Sequence, residues 1–67
     1  MILQLLAKNI KFYRIQRGWS QEKLAEKING SRNNISDIEN AKYPPTLSKV
    51  EDIANALNIE IYKLFLP

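Results

Sequence analysis

Apolar residues recur along this chain at intervals of three and four, the spacing of one helix face repeated with interruptions. Leu3, Leu6, Ile10 and Tyr13 share a face, which predicts a first helix from about Ile2 to Arg17. Gly18 comes next and can close that helix in a left-handed conformation. Trp19 then acts as an apolar plug. Ser20 is a good N-cap for a second helix, Glu22 suits the positive end of its dipole, and Leu24, Ala25 and Ile28 form its inner face. Asn29-Gly30 is a turn signal, since both residues tolerate positive φ. Ser31 caps a third helix running to about Asn40, with Ile35 and Ile38 inside. Ala41 to Pro45 is a loop, because Pro44-Pro45 cannot continue a helix. Thr46 caps a fourth helix with Leu47, Val50, Ile53, Ala54 and Leu57 on one stripe, ended by Asn58. A short fifth helix is predicted around Ile61 to Phe65, with Leu64 and Phe65 packing back on the core. No strand pattern, repeat, linker or low-complexity segment interrupts this all-α reading.

Length fits one domain. A chain of 67 residues has room for one small core, so residues 1–67 are expected to form a single unit held by helix packing. The sequence contains no Cys and no His. Disulfides, thiolate metal sites and imidazole-dependent catalysis are therefore excluded. Glu22, Glu26, Glu51 and Asp52 read as helix-surface charges, so no enzyme activity, metal or cofactor is expected. The apolar start, MILQLLA, is too short to cross a membrane and lacks the basic start and cleavage site of a signal peptide. The expected compartment is the cytoplasm. Ten Lys and Arg against seven Asp and Glu leave a net charge of +3, which permits an anionic partner without demanding one.

The segment Ser20 to Asn40 narrows that partner. Two helices crossing steeply need a small residue where they approach, which Ala25 supplies. They also need a turn residue that can turn left-handed, which Asn29 supplies. The exposed face of the third helix then stands clear of the body and can enter a DNA major groove. At about 100° per residue, Asn33, Ser36, Asp37 and Asn40 lie opposite Ile35 and Ile38. Arg32 opposes the helix dipole in the first turn, and Asn33 is a poor helix former on an exposed face, so both suit contact with base edges or phosphates better than a purely structural role. Asp37 is repelled by phosphates, yet it can accept from a cytosine amino group, pair with Arg32, or discourage wrong sequences.

The stretches NIKFYRIQRGWSQEKLAEK at 9–27, SRNNISDIENAKYPPTL at 31–47 and IANALNIEIYKLF at 53–65 resemble the Cro and phage-repressor type of helix-turn-helix protein, the Xre family. Caps, core positions, turn and loop all fall in register over nearly the whole chain. The chain departs from the family pattern at Asn29, where Gly is usual, at Gly30, where an apolar residue is usual, and at Ala41, where Gly is frequent. The resemblance implies a compact five-helix, lambda-repressor-like fold with the helix-turn-helix at helices 2 and 3. It also implies a homodimer and a palindromic double-stranded operator. By position it puts Arg32, Asn33 and Asp37 where the family reads bases, and Gln21, Ser31, Asn40 and Lys42 where it holds the phosphate backbone. It pairs Arg14 on helix 1 with Glu39 at the end of helix 3. Tyr13 and Trp19 are expected in the core.

The expected function is a sequence-specific transcriptional regulator, a repressor rather than an activator because no activation domain fits. Two alternatives stay open. One is an antitoxin-type protein that neutralises a toxin partner and regulates its own promoter, favoured by a neighbouring toxin gene. The other is a helix-turn-helix module used for protein contacts alone, favoured by undetectable DNA binding at low salt. Leu5, Phe12 and Ile15 on helix 1, and Ile61, Tyr62, Phe65 and Leu66 at the C-terminal end, are two candidate surfaces for a dimer or another protein partner.

Overall fold

In a computed structural model describing residues 1–67, four α-helices and one 3-10 helix succeed one another: α1 Ile2–Gln16, α2 Gln21–Lys27, α3 Arg32–Glu39, α4 Leu47–Leu57 and the 3-10 helix Ile61–Phe65. Three starts are capped by hydroxyls. Ser20, Ser31 and Thr46 accept from the backbone N–H of Lys23, Asn34 and Lys49 at 3.0, 3.1 and 3.1 Å. Each cap satisfies a donor that the first turn of a helix leaves without a partner.

All four helix ends are built alike. Gly18, Asn29, Ala41 and Asn58 have φ of 72°, 56°, 55° and 58°. In each case the next residue donates its N–H back across the end of the helix: Trp19 to Arg14, Gly30 to Ala25, Lys42 to Asp37 and Ile59 to Ala54. These are Schellman motifs, which pair carbonyls that would otherwise be orphaned. At Ala41 the motif forms without the glycine that would adopt it freely, so the loop after α3 makes this turn at a steric cost.

The core gathers one apolar face from every element. Ile10, Leu24, Ile35, Ile38, Ile53, Leu57 and Leu64 are fully buried. Each such side chain contributes about 1.5–3 kcal/mol relative to exposure. Ala25, 3% exposed, sits in the packed core between α2 and α3 as the small residue their crossing needs. Tyr13 and Trp19 are only partly buried and pack against the edge of this cluster. Lys27 Nζ lies 5.4 Å from the centroid of the Trp19 ring, so α2 covers the indole's outer face with a cation.

Two expectations are corrected. The fifth helix has the expected bounds but is a 3-10 helix, so the fold has four α-helices rather than five. Its five residues fit little more than one turn between Glu60 and Leu66, both extended, and Lys63 N–H bonds to the Glu60 carbonyl at 3.0 Å. The tighter winding still buries Leu64. Leu47 is 71% exposed and does not join the α4 stripe. It is the first residue of α4, and helical side chains lean toward the N-terminus, which carries this one past the end of the core.

Asn9 ties the two ends of the fold together. Its Nδ2 donates to the carbonyls of Leu64 and Leu66 at 2.9 and 2.7 Å, holding the 3-10 helix and the residue after it against α1. No helix is long and apolar enough to cross a membrane.

Candidate nucleic-acid interface

Helix α3 is fixed from inside and free outside. Ile35 and Ile38 anchor it in the core, while Ser31, Arg32, Asn33 and Asn40 are exposed and Ser36 and Asp37 half-buried. The helix-turn-helix is closed by α2 packing against α3 through the Asn29-Gly30 turn.

A buried ionic clamp sets the angle of α3. Arg14 Nε donates to Glu39 Oε2 at 2.6 Å and Arg14 Nη2 to Glu39 Oε1 at 3.1 Å. The third arm of the guanidinium, Nη1, donates to the Trp19 carbonyl at 2.7 Å. Gln21, the first residue of α2, donates through Nε2 to Glu39 Oε1 at 3.2 Å. One carboxylate at the end of α3 is thus held by α1 and α2 together, and the planar guanidinium fixes direction as well as distance. The structure bears out the expected Arg14–Glu39 pair. It adds Gln21 to the clamp, which orients this amide and leaves its other N–H for an outside acceptor.

Asp37 pairs with Lys42 Nζ at 3.9 Å and not with Arg32. The left-handed turn at Ala41 brings Lys42 back alongside the helix. Lys42 is largely exposed, so this contact is weak and leaves the ammonium available to an anion. Asn40 Nδ2 reaches Ser36 Oγ at 3.5 Å, linking two polar residues one turn apart. Ser31 spends its oxygen as an acceptor for Asn34 N–H and keeps its own hydroxyl proton to donate.

The structure therefore gathers Arg32, Asn33, Ser36, Asp37 and Asn40 on the outer side of α3. Gln21 stands at one flank, at the start of α2, and Lys42 at the other, in the loop. One contact the sequence did not announce lies on the Lys42 flank, where Asn34 Nδ2 donates to Tyr43 Oη at 2.7 Å. No set of three or more His, Cys, Asp or Glu side chains could hold a metal ion.

A family model described as helix-turn-helix matches residues 10–64. The chain belongs to the helix-turn-helix family. The match supports the Xre-type resemblance, as do the relatives. The immunity repressor protein of Bacillus phage phi105 is 43% identical over 56 residues, covering 84% of this chain and 39% of its own. The crystal structure of a hypothetical transcription factor from Neisseria superposes with a TM-score of 0.95 at 36% identity, covering 100% of this chain and 77% of that one. A restriction-modification controller protein, C.Esp1396I, crystallised as a tetramer in complex with its natural 35-base-pair operator, superposes with a TM-score of 0.88 at 32% identity over 97% of this chain and 86% of its own. The helix-turn-helix chain spans 39% of the length of the phage repressor and 59% of the length of a Neisseria meningitidis relative described as a hypothetical transcription factor.

Proposed function

We propose that residues 1–67 act as one DNA-binding unit of a transcriptional repressor that reads double-stranded operator DNA in the major groove with α3. The observation that carries this reading is the division of α3 into two sides. Its inner side is locked by Ile35, Ile38 and the Arg14–Glu39 clamp, and its outer side presents Arg32, Asn33, Ser36, Asp37 and Asn40. A reading element needs that combination, because base discrimination requires donors and acceptors held at a fixed angle.

Arg32 and Asn33 suit bidentate bonds to guanine and adenine, and Asp37 can accept from cytosine. Gln21, Ser31, Asn40 and Lys42 suit phosphate contacts that set register. One short helix reads only a few base pairs, so the working form is a homodimer on a palindrome. The named controller protein bound to its operator as a tetramer supports assembly on DNA by this fold. A cytoplasmic regulator needs neither cofactor nor metal for this activity.

Selecting bound fragments from a random duplex pool, then measuring affinity for the winner across a salt series, tests the reading. A defined palindromic site with a steep fall in affinity as salt rises is expected. Recovery of no preferred sequence overturns it.

A further inference from the structure

We propose that Tyr43 is a further DNA-anchoring residue, donating its phenolic proton to a backbone phosphate, and that Asn34 is the positioning residue that aims it. This rests on the DNA-binding reading above and adds a contact on the Lys42 side of α3.

The direction of one hydrogen bond carries the argument. Asn34 Nδ2 donates to Tyr43 Oη at 2.7 Å. A phenol has one proton, and an oxygen that accepts from an amide keeps that proton for another partner. Accepting also polarises the O–H and strengthens it as a donor. Tyr43 is 38% exposed and its hydroxyl donates to no group within the chain, which leaves the proton for a partner from outside.

The other end of the amide shows that this arrangement is costly. Asn34 Oδ1 is buried and has no hydrogen-bond partner. A buried acceptor without a donor is rare in folded proteins and calls for an explanation. Here Asn34 is directed by what its Nδ2 holds, the Tyr43 hydroxyl, at the expense of its own oxygen.

Position supplies the ligand class. At about 100° per residue Asn34 projects from the flank of α3 beside Asp37, between the buried Ile38 side and the outer face. Tyr43 comes directly after Lys42 in the loop that the Ala41 turn folds back along that flank. Gln21 marks the opposite flank. A helix seated in a groove has a phosphate strand on each side, so a donor beside Lys42 meets the strand that Gln21 does not. Phosphate oxygens accept and never donate, which suits a hydroxyl with only its proton to offer.

The test uses Tyr43→Phe, Asn34→Ala and their combination on the best duplex from the random pool. Each single variant should weaken binding on the order of tenfold, equally across base-substituted sites, as loss of a hydrogen bond to a charged group implies. The salt slope should stay at the parental value, because a neutral donor displaces no counterion. Asn34→Ala in the Tyr43→Phe background should add little. Replacing flanking phosphates one at a time by methylphosphonate should identify one whose loss weakens the parent but not Tyr43→Phe. Melting temperatures near the parent's confirm that folded proteins are compared. Parental affinity for Tyr43→Phe, or independent losses in the double variant, overturns the proposal while leaving the DNA reading intact. A parent that binds no duplex at low salt overturns both.

Discussion

Arg14 and Glu39, 25 residues apart, meet through two hydrogen bonds of 2.6 and 3.1 Å with their side chains 10% and 2% exposed. Breaking such a pair leaves a charge buried without its partner. Glu39→Ala is expected to lower stability by about 3–5 kcal/mol, a large share of what a domain of this size possesses. The double replacement Arg14→Met with Glu39→Met should restore much of the loss, since no unpaired charge remains. Urea unfolding of Arg14→Met, Glu39→Met and the double variant measures the coupling. Additive losses would show that the pair does not act as a clamp.

The strained helix end offers the opposite change. Ala41 holds φ 55°, a conformation that glycine adopts without steric penalty. Ala41→Gly should stabilise the fold by about 0.5–1 kcal/mol, the steric relief exceeding the added freedom of the unfolded chain. Gly18→Ala, at φ 72°, should move the urea midpoint the other way. If both substitutions shift it in one direction, the left-handed geometry is not what governs these positions.

The proposed DNA reading assigns readout and anchoring to different residues of α3 and its exit. Asn33→Ala should relax preference at one base position with a loss of about 1–3 kcal/mol. Lys42→Ala should weaken all sequences alike and lower the salt slope by about one unit. Selection with each variant and a salt titration check both. An unchanged selected site for Asn33→Ala, together with a changed one for Lys11→Ala on α1, would move the reading element away from α3.

Dimer formation has a candidate surface in the 3-10 helix, where Tyr62 is 57% exposed beside the half-buried Ile61 and Phe65. Tyr62→Glu should yield a monomer by sedimentation and weaken binding to the full palindrome, with the melting temperature near the parent's. In the parent complex the half-sites should lie about 10 base pairs apart. A monomeric parent, both free and on its best site, contradicts the homodimer.

The legible parts of this fold are those governed by local chemistry. Ser20, Ser31 and Thr46 are recognisable as caps because a hydroxyl before an apolar-periodic run has one favourable use. Gly18, Asn29 and Asn58 are readable as ends because they tolerate positive φ. Ala41 carries no such mark, and its left-handed turn shows only in the backbone, where the Lys42 N–H returns to the Asp37 carbonyl. The Asn34–Tyr43 bond and the Lys42–Asp37 pair both depend on that turn, so neither is readable from spacing. Leu47 fits the stripe of α4 but lies where the core has ended.

The link from Asn9 to the Leu64 carbonyl has a bearing on how the molecule comes into being. These residues are separated by 55 positions, so the partner that completes α1 emerges from the ribosome long after α1 itself. By then α2, the turn and α3 have already been synthesised, and their contacts are close in sequence. Asn9 is without that partner throughout the interval. Helix α3 is thus synthesised well before the support on α1 closes, and a nascent chain interrupted before residue 64 would hold both partners of the Arg14–Glu39 clamp but lack the Asn9 tie and the buried Leu64.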